Sequence, residues 1–327
     1  MAFCVGRRLN GIGFGTWSWG NQLVWGYRPE RDDLQLQATF QQALASGLNL
    51  IDTADSYGTG QLTGRSEALL GGFIRSLPVT RRSQLVVATK LAPFPWRLGR
   101  HGFDRAFAAS RARLQGSLHR VQLHWSTARY APWQEAALLE GLADRVLAGD
   151  VAELGVSNVG PCRLKWMLQR LQDRGVQLRS VQVQFSLLSA QATGEDALLK
   201  ICRAEGIEVL AYSPLAFGIL CQPPATKPRA DTRLRRRIEA RLLPESEALR
   251  TEIQRIALNR GVSMAQVALN WCRAHGTTPI PGIRRPAQAL DVAAALTWSL
   301  SADETIRLDG LRQGCQRRMP ENPFLSD

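Results

Sequence analysis

The chain has 327 residues, more than one small domain needs. Hydrophobic residues make up 45% and charged residues 21%, a balance that excludes disordered, collagenous and coiled-coil chains. The net charge of +13 raises nucleic acid as a partner, but only four of the 41 basic residues are lysine and the arginines run through the whole chain, which reads as compositional bias and not as a binding face.

Taken in chain order, short apolar β-rich runs predict strands at 11–16, 48–52, 85–89, 121–124, 154–157, 181–184, 208–212 and 278–281, with amphipathic stretches between them. The helical pattern over 34–46 carries Leu34, Leu36, Phe40 and Leu44 and stops at Gly47. The pattern over 164–174 carries Leu164, Met167, Leu168 and Leu171 and stops at Gly175. Each glycine stands where a left-handed C-terminal cap is wanted. Residues 221–244, rich in Pro and Arg, predict a long surface loop with some helix after the seventh strand; 312–327 predict a C-terminal tail over one barrel end. Strands alternating with helices favour an α/β fold of the closed (β/α)8 TIM-barrel type, with one domain over 1–327. A doubly wound sheet would announce itself with a Gly-rich phosphate loop, and 11–16 is not G-x-G-x-x-G.

No apolar run approaches the roughly 18 residues of a membrane span. The first eight residues reach their arginines too early for a signal-peptide core, so a cytoplasmic protein without membrane contact is expected. Cys4, Cys162, Cys202, Cys221, Cys272 and Cys315 show no C-x-x-C or metal-ligand spacing, which predicts buried reduced thiols and no metal. The densest basic cluster, Arg233, Arg235, Arg236, Arg237 and Arg241, lacks stacking aromatics and is expected as a solvated or phosphate-facing loop.

Polar residues collect at the C-terminal ends of the predicted strands: Asp52, Lys90, His124, Ser157, Asn158, Gln184, Tyr212 and Ser213. In a (β/α)8 barrel those ends share one face, where active sites are built. A strand-end Asp alone is often a helix cap and a lone His often a local hydrogen-bond partner; convergence is what changes the reading. Together with Tyr57 these residues suit one chemistry. A phenol has an unperturbed pKa near 10, a nearby ammonium lowers it, and a carboxylate keeps the ammonium charged and aimed. A neutral imidazole can then donate to a carbonyl oxygen as charge develops there. Such a site has a proton donor but no nucleophile, and it suits reduction of a carbonyl by hydride from a nicotinamide.

Gly13-Phe-Gly-Thr-Trp17, Asp52-Thr-Ala-Asp-Ser-Tyr57-Gly, Ala88-Thr-Lys90, Leu123-His124-Trp125, Gly155-Val-Ser-Asn158, Gln182-Val-Gln184-Phe-Ser, Ala211-Tyr212-Ser-Pro-Leu215 and Ile280-Pro-Gly-Ile-Arg284 resemble the successive motifs of the aldo-keto reductase superfamily, in its order and spacing. Trp17-Ser-Trp-Gly20, the segment 64–71 and Trp298-Ser-Leu300 resemble its cyanobacterial and plant-plastid branch. The resemblance implies NADPH-dependent reduction of an aldehyde or ketone. It implies Tyr57 as general acid, Lys90 and Asp52 as its tuning pair and His124 as the carbonyl-orienting donor. It implies Ser157, Asn158 and Gln184 on the nicotinamide carboxamide, Tyr212 stacked on its ring, and Ser213, Leu215 and Gly218 along the pyrophosphate. Arg284 would meet the 2′-phosphate, with Gly282 beside it and Gln288 on the adenine side. Val292 stands where the family often has an Asn, and the adjacent Asp291 would weaken the preference for NADPH. The short stretch before residue 11 predicts a reduced hairpin at the barrel bottom.

Loop aromatics add a pocket: Trp17, Trp96 and Trp125 follow strand ends and favour an apolar or aromatic carbonyl compound over a sugar phosphate. A pyridoxal-type aldehyde is one candidate that the plastid branch suggests. The alternative reading is an NADPH-binding, redox-sensing regulatory subunit with little turnover. A monomer or weak homo-oligomer is expected.

Overall fold

The computed structural model describes residues 11–189, 195–320, 322, 323, 325 and 326; the expected N-terminal hairpin lies outside them. Eight parallel strands follow in sequential order: β1 (Phe14–Gly15), β2 (Leu50–Asp52), β3 (Val86–Leu91), β4 (Arg120–Leu123), β5 (Glu153–Ser157), β6 (Leu178–Gln184), β7 (Glu208–Tyr212) and β8 (Thr278–Pro279). The ring closes between β1 and the stretch after β8, where Gly13 N donates to Pro279 O at 3.0 Å and Gly15 N to Pro281 O at 2.9 Å. The first and last strands are shorter than the predicted 11–16 and 278–281. Pro279 and Pro281 carry no N–H, so at these two positions the seam uses their carbonyls. β3 runs to Leu91, which puts Lys90 inside a strand and not past its end.

The helix Pro29–Ala45 starts with Pro in its first turn, and Gly47 follows it at φ 82°. It buries Leu36, Phe40 and Ala43, while Leu34, expected on that face, is 80% exposed. The helix Pro161–Gln172 buries Leu164, Met167 and Leu171 and is followed by Gly175 at φ 70°. Both glycines adopt the left-handed conformation that a β-carbon disfavours. The main cores lie between strands and helices, and a separate small cluster of Leu50, Val86, Leu210 and Ile280 lies under Tyr212. Cys202, Cys272 and Cys315 are buried as expected, whereas Cys162 is exposed. Among the described residues no helix is long and apolar enough to cross a membrane.

The opposite end of the strands carries a buried ion cluster. Arg120, 3% exposed, donates through Nη2 to Glu153 at 2.7 Å and through Nη1 to Glu208 at 2.9 Å. Burial pushes the Glu153 carboxyl up, but His119 and Arg120 outweigh it and bring the pKa down to about 2. A carboxyl depressed in the folded state stabilises above its unfolded value of 4.5, and that contribution is lost as the pH falls toward 2. Arg120→Met would leave two carboxylates without their shared cation; we expect a loss of about 3–5 kcal/mol, read as a lower urea midpoint at unchanged slope. An unchanged midpoint would show that His119 and Arg179 suffice for Glu153, and solvent for Glu208.

Candidate active site

Strand alternation points the side chains of Asp52, Lys90, Gln122 and Gln182 into the barrel, and there they meet. The Lys90 ammonium pairs with Asp52 Oδ2 and donates to Thr53 O at 2.8 Å. Asp52 Oδ1 accepts from Gln182 Nε2 at 2.7 Å and Gln122 Nε2 at 3.2 Å. The Lys90 and Asp52 side chains are 1% and 3% exposed, so this carboxylate has its charge partner and its hydrogen bonds away from water. Gln122 and Gln182 were not among the predicted site residues. Their signal is a polar residue two positions before His124 and Gln184 on the same strand face.

Tyr57 lies on the loop after β2, its amide bonded to Ala54 O at 3.2 Å. Lys90 Nζ sits 4.9 Å from its ring centroid, and the His124 ring is 5.8 Å away at 71°. The structure thus brings all four predicted catalytic residues to one end of the barrel. The electrostatics differ from the expected tuning. Burial first, then the carboxylates of Asp52 and Asp55, hold the Tyr57 phenol well above its usual value. Lys90 is paired with Asp52, and the net effect on the phenol is upward; burial in turn lowers the ammonium, against the opposing pull of Asp52. Burial, with Lys90 and Arg97 nearby, drives His124 well below 6.5, so its imidazole is neutral at neutral pH. Its Nδ1 lies 3.4 Å from Ser56 Oγ. Asp55 is itself held by Arg97 Nη1 at 2.5 Å and by Ala92 N at 3.2 Å, an ion pair against the site that sequence reasoning did not single out.

The predicted nicotinamide residues gather beside this group. Asn158, at φ 59°, donates through Nδ2 to His124 O at 3.0 Å and to Ser157 Oγ at 3.1 Å, and Tyr212 Oη donates to Asn158 Oδ1 at 2.9 Å. Gln184 ends β6 next to Tyr212 in register. After β7, Ser213 (φ 53°), Ala216 (φ 48°), Phe217 (φ 57°) and Gly218 (φ 87°) all turn left-handed. Three non-glycine residues in that region within five positions store strain of about 1–3 kcal/mol each, a cost that clusters at ligand clamps.

Further round, Gly282 bridges Gly15. Arg284 Nη1 donates to Trp25 O at 3.2 Å, and its Nη2 lies 3.7 Å from Asp32. Gln288 Oε1 caps the next helix by accepting from Arg284 N at 2.8 Å and Arg285 N at 3.1 Å. Arg235, one of the arginines expected on a solvated or phosphate-facing loop, turns inward: its guanidinium lies 4.3 Å from the Trp25 ring centroid and donates to Phe217 O at 3.0 Å. Arg233, Arg236, Arg237 and Arg241 are exposed. Trp25 Nε1 and Arg235 Nε are buried donors without a hydrogen-bond partner. Two arginines and two orphaned donors converging beside the strained 213–218 loop fit a dinucleotide phosphate. Asp291 accepts from Ser263 Oγ at 2.9 Å and Gln266 Nε2 at 2.7 Å. Both oxygens thus accept bonds from neutral donors, and the carboxylate keeps its charge.

The three predicted pocket tryptophans separate. Trp125 lies 4.8 Å from His124 and edge-on to Phe94, with its Nε1 on Tyr130 Oη at 2.6 Å. Trp96 stacks on Phe94 at 4.7 Å and is 72% exposed, a rim position. Trp17 packs with Trp25 and Phe217 at 6.0 and 5.9 Å, beside Arg235 and away from the His124 wall in its ring contacts.

The sequence profile described as "Aldo/keto reductase family" matches residues 11–313. The chain belongs to that family. Membership makes it an NADP-dependent oxidoreductase of carbonyl groups. It is 46% identical over 318 residues to the chloroplastic pyridoxal reductase of Arabidopsis thaliana, covering 96% of this chain and 86% of that one. It is 29% identical to a 6-dehydroglucose reductase of Novosphingobium aromaticivorans, with 78% of each chain covered. The crystal structure of an aldo-keto reductase from Klebsiella pneumoniae in complex with NADPH superposes with a TM-score of 0.71 at 28% identity, over 95% of this chain and 94% of that one.

Proposed function

We propose that this protein reduces an apolar or aromatic aldehyde or ketone to the alcohol with NADPH, and that Tyr57 is the general acid. One observation carries the reading: the Tyr57 phenol, the His124 imidazole and the buried Lys90–Asp52 pair share one end of the barrel, with the Tyr57 ring near both Lys90 and His124. NADPH, when bound, supplies the hydride to the carbonyl carbon. Tyr57 Oη gives its proton to the carbonyl oxygen, which completes the alcohol. His124, neutral, donates a hydrogen bond to that oxygen as its charge grows. The Lys90–Asp52 pair keeps an ammonium under the phenol ring and a carboxylate beneath it without exposing either to water. Ser157, Asn158, Gln184 and Tyr212 would seat the nicotinamide, Ser213, Leu215 and Gly218 the pyrophosphate, and Gly282, Arg284 and Gln288 the adenosine end.

The Trp125–Phe94–Trp96 wall beside His124 supports a flat apolar substrate. The 46% identical pyridoxal reductase supports an aromatic aldehyde of pyridoxal type in particular. NADPH oxidation over a panel of aliphatic aldehydes, aromatic aldehydes, pyridoxal and sugar phosphates tests this. Turnover should favour the aromatic aldehydes; preference for sugar phosphates, or no turnover of any, would refute it. Arg284→Ala should raise KM for NADPH about 10- to 100-fold, the worth of a charged hydrogen bond, and leave NADH kinetics nearly unchanged. Equal losses with both cofactors would remove Arg284 from the 2′-phosphate.

A further inference from the structure

The residues that would seat the nicotinamide are not held by the barrel alone. The Asn158 side-chain amide can accept two hydrogen bonds at Oδ1 and donate two from Nδ2. Nδ2 is used on His124 O and Ser157 Oγ, at 3.0 and 3.1 Å. Oδ1 takes Tyr212 Oη at 2.9 Å and, from the C-terminal segment, Asn322 Nδ2 at 3.0 Å. Asn322 Nδ2 also lies 3.0 Å from Tyr212 Oη. Asn158, Tyr212 and Asn322 therefore close a ring of three polar groups, and with all four positions on its amide filled Asn158 would support the nicotinamide seat through Ser157 Oγ and the His124 carbonyl, not by a bond of its own to the carboxamide.

We propose that Asn322 is a positioning residue for the nicotinamide end of the cofactor site, acting through Asn158 and Tyr212; this rests on the cofactor seat proposed above. The direction of the ring makes the case. Tyr212 has one hydroxyl proton, which goes to Asn158 Oδ1, and the hydroxyl's lone pairs face Asn322 Nδ2, which donates to them. The His124 carbonyl sets which end of the Asn158 amide is nitrogen, and Asn322, by filling the second site on Oδ1, reinforces that orientation. Without it, Asn158 Oδ1 and the Tyr212 hydroxyl each keep one bond instead of two. Asn158 is already in a sparsely populated backbone conformation at φ 59°, so its side chain needs external support to hold one geometry.

The segment that delivers Asn322 is tied down on both sides. Met319 N donates to Leu188 O at 2.7 Å, and Gly160 N donates to Ser326 O at 2.7 Å, beside the Val159–Ser326 bridge. Ser326 is 2% exposed. Asn322 and Ser326 thus lie against the 158–160 turn at the catalytic end.

The test compares two probes on the full-length protein: NADPH, and adenosine 2′,5′-bisphosphate, which has the phosphate and adenine end without a nicotinamide. Asn322→Asp keeps the shape and removes both donors; Asn322→Ala removes the side chain. Each should weaken NADPH binding, measured by calorimetry, about tenfold, the order expected for two lost hydrogen bonds. Affinity for the bisphosphate and the melting temperature should stay near wild type. Equal weakening of both probes would mark Asn322 as general scaffolding and overturn the proposal, and so would unchanged affinity for both. Asn158→Ala is measured alongside. If it shifts the ratio of the two affinities and Asn322→Asp does not, the tail proposal alone fails. If neither shifts the ratio, the nicotinamide seat itself has been misplaced.

Discussion

Tyr57→Phe should lower kcat by about 100- to 10,000-fold, the usual worth of a positioned general acid, while NADPH binding stays nearly unchanged. The phenol acts only on the reacting oxygen, and the phenyl ring keeps its place over Lys90 and beside His124. The pH profile offers a second view of the same group. A phenol held well above 10 is protonated at every lower pH, and an imidazole held well below 6.5 is neutral at every higher one. Between those limits neither changes state, so kcat/KM for reduction should be flat from about pH 6.5 to 9 and fall only as the phenol begins to ionise. A titration near 7 that vanishes in Tyr57→Phe would show that Lys90 does lower the phenol, against the geometry in which it is committed to Asp52.

Lys90→Met should be costly in two ways. It strips the cation from a carboxylate that is 3% exposed, leaving Asp52 with two glutamine amides and a charge that belongs in water. Breaking a buried pair from one side costs about 3–5 kcal/mol, and the melting temperature should drop accordingly. Turnover should fall as well, because the ammonium beneath the phenol is gone. The double variant Lys90→Met, Asp52→Asn separates the two effects. With both charges removed, most of the stability should return, since a buried pair is worth little more than a neutral replacement. Turnover should not. If activity recovers together with stability, the pair is scaffolding only and the assigned role of Lys90 is wrong.

Much of this site is legible in the sequence because barrel geometry turns strand ends into neighbours. Asp52, Lys90, His124, Asn158, Gln184 and Tyr212 each end or nearly end a strand whose period-two pattern is plain in the residues. The helix stops at Gly47 and Gly175 were equally visible, as was the long insertion after β7, where the helix Arg233–Leu242 forms. Local chemistry sufficed for these because a left-handed cap, a β-rich run or a strand-end carboxylate needs only its immediate neighbours to be recognised.

Other features exist only in three dimensions. Arg235 looks like its exposed neighbours in the sequence, and only the helix phase turns it onto Trp25 from more than two hundred residues away. Trp17, Trp96 and Trp125 look equivalent, yet ring packing sends one to His124, one to the rim and one toward Phe217. The sign of the Tyr57 shift is of this kind too. An Asp, a Lys and a Tyr in the right motifs say that the charges will meet, but not that the ammonium will be spent on the carboxylate before it reaches the phenol. The amino-acid sequence by itself determined the barrel, its polar end and the residue types assembled there, because those follow from periodicity and spacing. The tertiary structure decided which of those groups neutralise one another, and that Asn322 from the C-terminal segment joins them, because pairing in a buried site depends on distances that no local pattern encodes.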